Sequence, residues 1–401
     1  MNPEFQKAIP LLLKIEEAGF EAYFVGGSVR DDILGKRIAD VDIATSAMPE
    51  EIKAIFHKTI DIGLEHGTVA VLHEGVPYEI TTFRAEAEYK DFRRPSEVYF
   101  IRSLNEDLSR RDFTMNAIAM NANGKLIDPF HGVDDIRLKV IQTVGKAEDR
   151  FKEDALRMMR AVRFHSQLSF SISEDTMNAL IRNAHLLEHI AVERKLAEFE
   201  KLLSGVNING GIRVLAESGL YHYLPGLLPY NQQLIHFAEI EKAALNIEER
   251  WALLVHILKK DVREAQSFLK SWRLPGKRIK TIMAIQNGLD LRLQSVWQPL
   301  NLYHCGYDTA ISVEKIVNIM NRRPANAHLE DVAVQYQDLP IKSKNEIPVT
   351  GTDLMQWLNR QAGAWIKTDL QSIEEAIILK KLPNDKESIK EWLIKCNQSS
   401  E

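Results

Sequence analysis

Phe24-Val25-Gly26-Gly27-Ser28-Val29-Arg30-Asp31, followed shortly by Asp40-Val41-Asp42, is the stretch that decides the fold. The apolar run predicts a short strand, Tyr23-Phe24-Val25, ending at Gly26-Gly27. Paired glycines between a strand and a helix permit a tight turn and close backbone approach to a ligand. Ser28 is suited to cap the helix that follows. The free N–H groups of that helix would face an anion, with Arg30 in the first turn. For the glycine pair taken alone, an ordinary strand–helix turn is the favoured reading. Asp40 and Asp42 change the weighing. In a strand, residues two apart share a face, so both carboxylates would lie together while Val41 and Ile43 turn to the core. Such a pair repels itself and raises its own pKa values, which a cation relieves. Magnesium accepts a few carboxylates and leaves its other positions to water and phosphate oxygens. A pair of ions ~3.5–4 Å apart serves an attacking hydroxyl and a leaving pyrophosphate. Glu79, a lone acid between Tyr78 and Ile80, reads either as a third carboxylate of this site or as an exposed strand residue.

Residues 5–18 have helical apolar spacing, and Val41-Asp42-Ile43 is a second strand. Thr68 to His73 and Val76 to Phe83 are β-rich runs joined at Glu74-Gly75, a hairpin signal, and Glu97 to Ile101 is a further β-rich run. Residues 84–95, charged with alternating sign, read as a mobile loop or as a plain connector. From residue 146 helical periodicity takes over, at Asp154 to Ser166, Ser173 to Asn183 and Val192 to Leu203. Breaks fall at Gly205, Pro225-Gly226, Pro229, Pro275-Gly276 and between Pro340 and Pro348. The fold class is therefore α+β. A mixed α/β head covers 1–145, a helical neck 146–205, and a helical body and tail 206–401, the helical part being elongated.

The 401 residues are 45% hydrophobic, enough for a substantial core. The net charge of −5 speaks weakly against nucleic-acid binding, although 51 Lys and Arg could still form one basic face. Cys305 and Cys396 fit neither a disulfide framework nor a zinc site. The N-terminus lacks a signal-peptide pattern, and no apolar run reaches the ~20 residues of a membrane span. A cytoplasmic protein with no membrane association is expected.

Further motifs follow in order: Arg110-Arg111-Asp112-Phe113-Thr114-Met115-Asn116-Ala117, Glu153-Asp154-Ala155-Leu156-Arg157, and Glu193-Arg194-Lys195 to Lys201-Leu202-Leu203. With Gly26 to Gly35 and Asp40 to Thr45, they resemble the polymerase β-like nucleotidyltransferases, and more narrowly the class II (bacterial) CCA-adding tRNA nucleotidyltransferases. The likeness covers roughly the first half of the chain. It implies CCA addition to tRNA from CTP and ATP, with Mg2+ at Asp40 and Asp42 as the catalytic and metal residues. A homodimer is left open. The nearest alternatives are an A-adding or CC-adding relative and a bacterial poly(A) polymerase. These share the head motifs, but such poly(A) polymerases carry a basic C-terminal extension, whereas this chain ends in Ser399-Ser400-Glu401.

The resemblance also assigns roles. Gly26, Gly27 and Arg30 would meet the triphosphate. Arg111 would pair with phosphate or ribose oxygens and Asp112 would accept from the ribose 2′-hydroxyl, with Asn116 bracing the turn. Asp154 and Arg157, read as three apart on one helix, would template the base, and Arg160 and Arg163 would continue that stripe toward nucleotide or tRNA. The hydrogen-bond inventory agrees with the template. Ionised Asp accepts and Arg donates, which matches cytosine and adenine and conflicts twice with uracil and guanine. The segment from 84 to 94 would help the switch from C to A. Lys277-Arg278-Ile279-Lys280 and Arg322-Arg323 are candidates for tRNA contact, or solvated helix ends.

Overall fold

The computed structural model describes residues 1–63, 67–86, 89–90, 94–95 and 98–398. Two compact units result, Met1–Ala238 and Glu239–Glu401.

In the first unit, α1 (Pro3–Glu17) precedes β1 (Ala22–Val25) and α2 (Gly27–Ile33). Then come β2 (Asp42–Thr45), α3 (Pro49–Ile55), β3 (Thr59–Gly63), β4 (Thr68–His73) and β5 (Val76–Thr82). Short strands β6 (Arg84–Glu86), β7 (Tyr89–Lys90), β8 (Arg94–Pro95) and β9 (Val98–Phe100) lead to α4 (Leu104–Ser109), β10 (Ala119–Met120) and β11 (Leu126–Ile127). The main sheet has the order β11-β10-β1-β2-β5-β4-β3, with β2 and β5 parallel. The β4–β5 hairpin turns through Glu74 and Gly75, both at positive φ, as a two-residue type I′ turn requires.

Register explains which residues reach the site. Phe24, Ile43, Ile80 and Val69 lie in one row across four strands, and all are buried. Phe24 meets Phe5 of α1 with ring centroids 4.6 Å apart, so this row faces the α1 side. Alternation then puts the neighbouring row, Asp42, Glu79, Ala70 and Ile60, on the opposite face. On that face Val25, Ala44, Phe83, Leu104, Leu108, Ala117, Ala119 and Val144 form a core beneath α4.

Next come α5 (Gly132–Leu138), β12 (Val140–Ile141), α6 (Ala147–Glu153), α7 (Leu156–Leu168), β13 (Ser171–Ile172), α8 (Glu174–Asn183), α9 (Val192–Leu203) and α10 (Ile208–Glu217). The β12–β13 pairing is a parallel ladder tying residues 171–172 back to 140–141. The second unit is helical, with its longest helix at Gly276–Gln294. Lys277 and Lys280 are exposed at the start of that helix, whereas Arg278 pairs with Glu248 at 2.9 Å. Among the described residues, no helix is long and apolar enough to cross a membrane.

Three local expectations need correction. The second strand begins at Asp42, so Asp40 sits in the extended lead-in rather than within the strand; Val41 and Ile43 are nevertheless buried as alternation requires. Residues 154–166 are not one helix, because the chain is extended at Asp154 between α6 and α7. Residues 84–95 are not a plain loop where described: β6 pairs with β9 and β7 with β8. Residues 87, 88 and 91–93 of that segment lie outside the described residues.

Candidate active site

Gly26 has φ +75° and ψ −135°, a conformation that side chains disfavour. A Cβ built there would lie 2.9 Å from Arg111 Nη1 and 3.8 Å from Asp42 Oδ2. The turn thus lets a guanidinium and a carboxylate converge on one point. Ser28 does not cap α2; its hydroxyl donates to Val25 O at 3.0 Å, and no side chain caps the helix.

Asp42 is surface-exposed as a residue, yet protein surrounds part of its carboxyl. Burial pushes the carboxyl above the usual carboxylate range, Arg111 pulls it down, and Glu79 and Asp40 push it up again. Asp42 and Glu79 are register partners on adjacent parallel strands, so the acids gather at one spot. Among the described residues no group of three or more His, Cys, Asp or Glu is arranged to hold a metal ion. A site with one or two close carboxylates and an excess of negative charge fits an ion that takes few protein ligands.

A chain of polar contacts runs from Arg30 into α7. Arg30 Nη1 donates to Asn116 Oδ1 at 2.6 Å, and Asn116 Nδ2 donates to Asp112 Oδ1 at 3.0 Å. Phe113 N–H donates to the same oxygen at 2.9 Å, while Arg160 Nε donates to Asp112 Oδ2 at 2.6 Å. Burial opposes ionisation of Asp112, but Arg160, Asn116 and Arg157 outweigh it and hold the carboxyl at about 2. The ring of Phe164 is flanked by the guanidinium groups of Arg163, Arg30 and Arg160, at 4.0, 5.2 and 5.5 Å from its centroid. Burial and the neighbouring Arg160 lower Arg163 to about 10, and Glu198 compensates at 3.0 Å. Each of the three guanidinium groups also pairs with a carboxylate, Arg30 with Asp31, Arg160 with Asp112 and Arg163 with Glu198, so a phosphate there would exchange for one of these partners.

Asp154 and Arg157 do not share a helix face. Asp154 Oδ1 accepts from Leu156 N–H at 3.0 Å, and its Oδ2 pairs with Arg194 of α9 at 2.8 Å. Arg157, buried in the first turn of α7, donates to Glu153 at 2.6 Å and to Arg110 O at 2.8 Å. The motif that begins Glu193-Arg194-Lys195 therefore braces the Glu153–Arg157 motif through Arg194.

Sequence reasoning missed the anchors Glu198 and Asp107, and it quoted Glu153 within a motif without giving it a role. Spacing could have found Asp107, which lies three and four residues before its partners Arg110 and Arg111. It could not have found Glu198, thirty-five residues from Arg163.

Two expected results follow locally. Gly26→Ala should cost about 1–3 kcal/mol of stability from backbone strain and should also weaken nucleotide binding by displacing Arg111; thermal melts and CTP titration would show both. The depressed Asp112 carboxyl contributes stability that is present above the unfolded value near 4 and lost as pH falls toward about 2. Urea midpoints of the parent and Asp112→Asn should therefore converge as pH drops through that window.

Over 403 residues the chain is 47% identical to the CCA-adding enzyme of Geobacillus kaustophilus (strain HTA426), covering 100% of this chain and 99% of that one. The chain belongs to the CCA-adding enzyme family. Another member, from Bacillus subtilis (strain 168), is 47% identical over 400 residues, 99% of this chain and 100% of that one. The crystal structure of the Bacillus stearothermophilus CCA-adding enzyme in complex with CTP is 45% identical, with a TM-score of 0.92, covering 100% of this chain and 99% of that chain. Family models match residues 22–142 (Poly A polymerase head domain), 169–230 (RNA and SrmB-binding site of polymerase A) and 244–393 (tRNA nucleotidyltransferase domain 2). As a CCA-adding family enzyme the chain is a nucleotidyltransferase, and nucleotidyltransferases of this kind use divalent metal ions.

Proposed function

We propose that this chain completes the CCA triplet at tRNA 3′ ends from CTP and ATP, without a nucleic-acid template. The observation that carries the reading is the convergence of Asp42 and Arg111 on the bare turn at Gly26. A metal-binding carboxylate and a phosphate-binding guanidinium there flank backbone that a triphosphate could approach.

Asp40 and Asp42 would hold Mg2+, which when bound would supply Lewis acidity at the 3′-hydroxyl and the leaving pyrophosphate. Arg30, Arg111, Arg160 and Arg163 would neutralise the triphosphate together with the backbone N–H groups at Gly26 and Gly27. Support comes from Arg111 and Arg163, whose buried Nε atoms have no hydrogen-bond partner among the described residues. Asp112 already receives donors on both oxygens. Ribose selection by Asp112 would therefore proceed by exchange, the 2′-hydroxyl replacing Arg160, which is then released to phosphate. Asp154 and Arg157 would read the base edge, their directions fixed by Arg194 and Glu153. Residues 1–145 would act as the catalytic head, 146–205 as the nucleotide-recognition neck, and 206–401 as the tRNA-binding body and tail. The setting assigned is the cytoplasm.

The test supplies one nucleotide at a time with a tRNA lacking CCA. CTP alone should add two residues and stop, while ATP, UTP or GTP alone should add none. A run of adenosines from ATP alone would instead mean a poly(A) polymerase.

A further inference from the structure

We propose that Asp107 is a positioning residue that aims Arg111 at the incoming nucleotide. The proposal rests on the nucleotide-site reading above.

Asp107 is 1% exposed, so protein donors rather than water must satisfy its carboxylate. It accepts from Arg110 Nε at 3.0 Å and Nη2 at 2.6 Å, from Arg111 Nη2 at 3.3 Å, and from the Arg84 backbone N–H at 3.3 Å. Its spacing within and just beyond α4 puts both arginines within reach of one carboxylate.

Arg111 has few other restraints. Its Nη1 donates to Asn116 O at 3.4 Å, the long end of hydrogen-bond range. The same nitrogen lies against the Gly26 turn, and Asp42 is near enough to draw the guanidinium toward the metal carboxylates. Asp107 holds the other terminal nitrogen, Nη2, and so opposes that pull. It keeps Arg111 between the two acids, where a phosphate or ribose oxygen can take up the remaining donors, and leaves Asp42 for the cation. Asp107 also acts through Arg110, whose backbone oxygen accepts from Arg157. One buried carboxylate thereby organises the segment that supports two nucleotide-facing arginines.

A double-mutant cycle on the full chain separates positioning from simple structural support. CTP dissociation constants are measured by calorimetry for the parent, Asp107→Asn, Arg111→Ala and the double variant, with melting temperatures alongside. Asp107→Asn should weaken CTP binding about tenfold when Arg111 is present and less than about twofold when Arg111 is alanine. Equal weakening in both backgrounds, or none in the parent, would overturn the proposal. If Asp107→Asn does not fold, Asp107→Glu takes its place, keeping the charge but moving it by one methylene. Weakening confined to the Arg111 background again supports positioning, and equal weakening overturns it. A parent chain that fails to bind CTP would instead overturn the nucleotide-site reading, and this assignment with it.

Discussion

Asp42→Ala should reduce nucleotide addition by about a thousandfold or more while leaving tRNA binding within about twofold. On the proposed metal assignment, losing Asp42 would remove several kcal/mol of transition-state stabilisation, and each ~1.4 kcal/mol is a factor of ten. Asp40→Ala should behave similarly. Stability should move the other way. The Asp42 carboxyl is raised above its ordinary value, so the stability it contributes when protonated is lost as pH rises through its folded pKa. At neutral pH without divalent ions the ionised group is a liability, and Asp42→Asn should melt no lower than the parent. Activity close to the parent's in either alanine variant would remove the metal assignment.

The second large effect concerns the base. Asp154→Lys with Arg157→Glu should shift preference toward UTP and GTP. If Asp154 and Arg157 read the base as proposed, two donor–acceptor conflicts at ~1–3 kcal/mol each would give discrimination on the order of 10²–10⁴-fold. The inverted pair would donate to uracil O4 or guanine O6 and accept from N3–H or N1–H. The geometry adds a consequence that helix spacing did not predict. Lysine at 154 would face Arg194, and glutamate at 157 would face Glu153. Like charges at both anchors should lower stability by a few kcal/mol and slow the reaction. The ratio among the four nucleotides is therefore the quantity to measure. A variant that keeps the parental ratio would show that these side chains do not read the base.

Much of this was legible in the sequence where local rules govern. Helix α9 coincides with the periodic segment from Val192 to Leu203, and α8 begins one residue after its predicted start because Ser173 serves as its N-cap. The β4–β5 hairpin followed from Glu74-Gly75. The break at Asp154 was not legible by periodicity, since apolar spacing continues across it. Only the capping chemistry of an Asp before Leu156 hints at it. The site was legible as a set of residue types, not as contacts. Arg30, Asn116, Asp112 and Arg160 were each singled out, but their chain of hydrogen bonds joins α2, the segment after α4, and α7. Such pairings depend on tertiary packing that no spacing encodes. The same holds for the shift of Arg163 from a solvated stripe to a buried partner of Glu198.

The most direct measurement supplies CTP and ATP together to tRNAs that end before CCA, after C, and after CC, and sequences every product. All three substrates should finish at one CCA and stop there. Products that end at CC, addition of A to the CC substrate with no addition to the other two, or extension into adenosine runs would contradict completion of the CCA triplet.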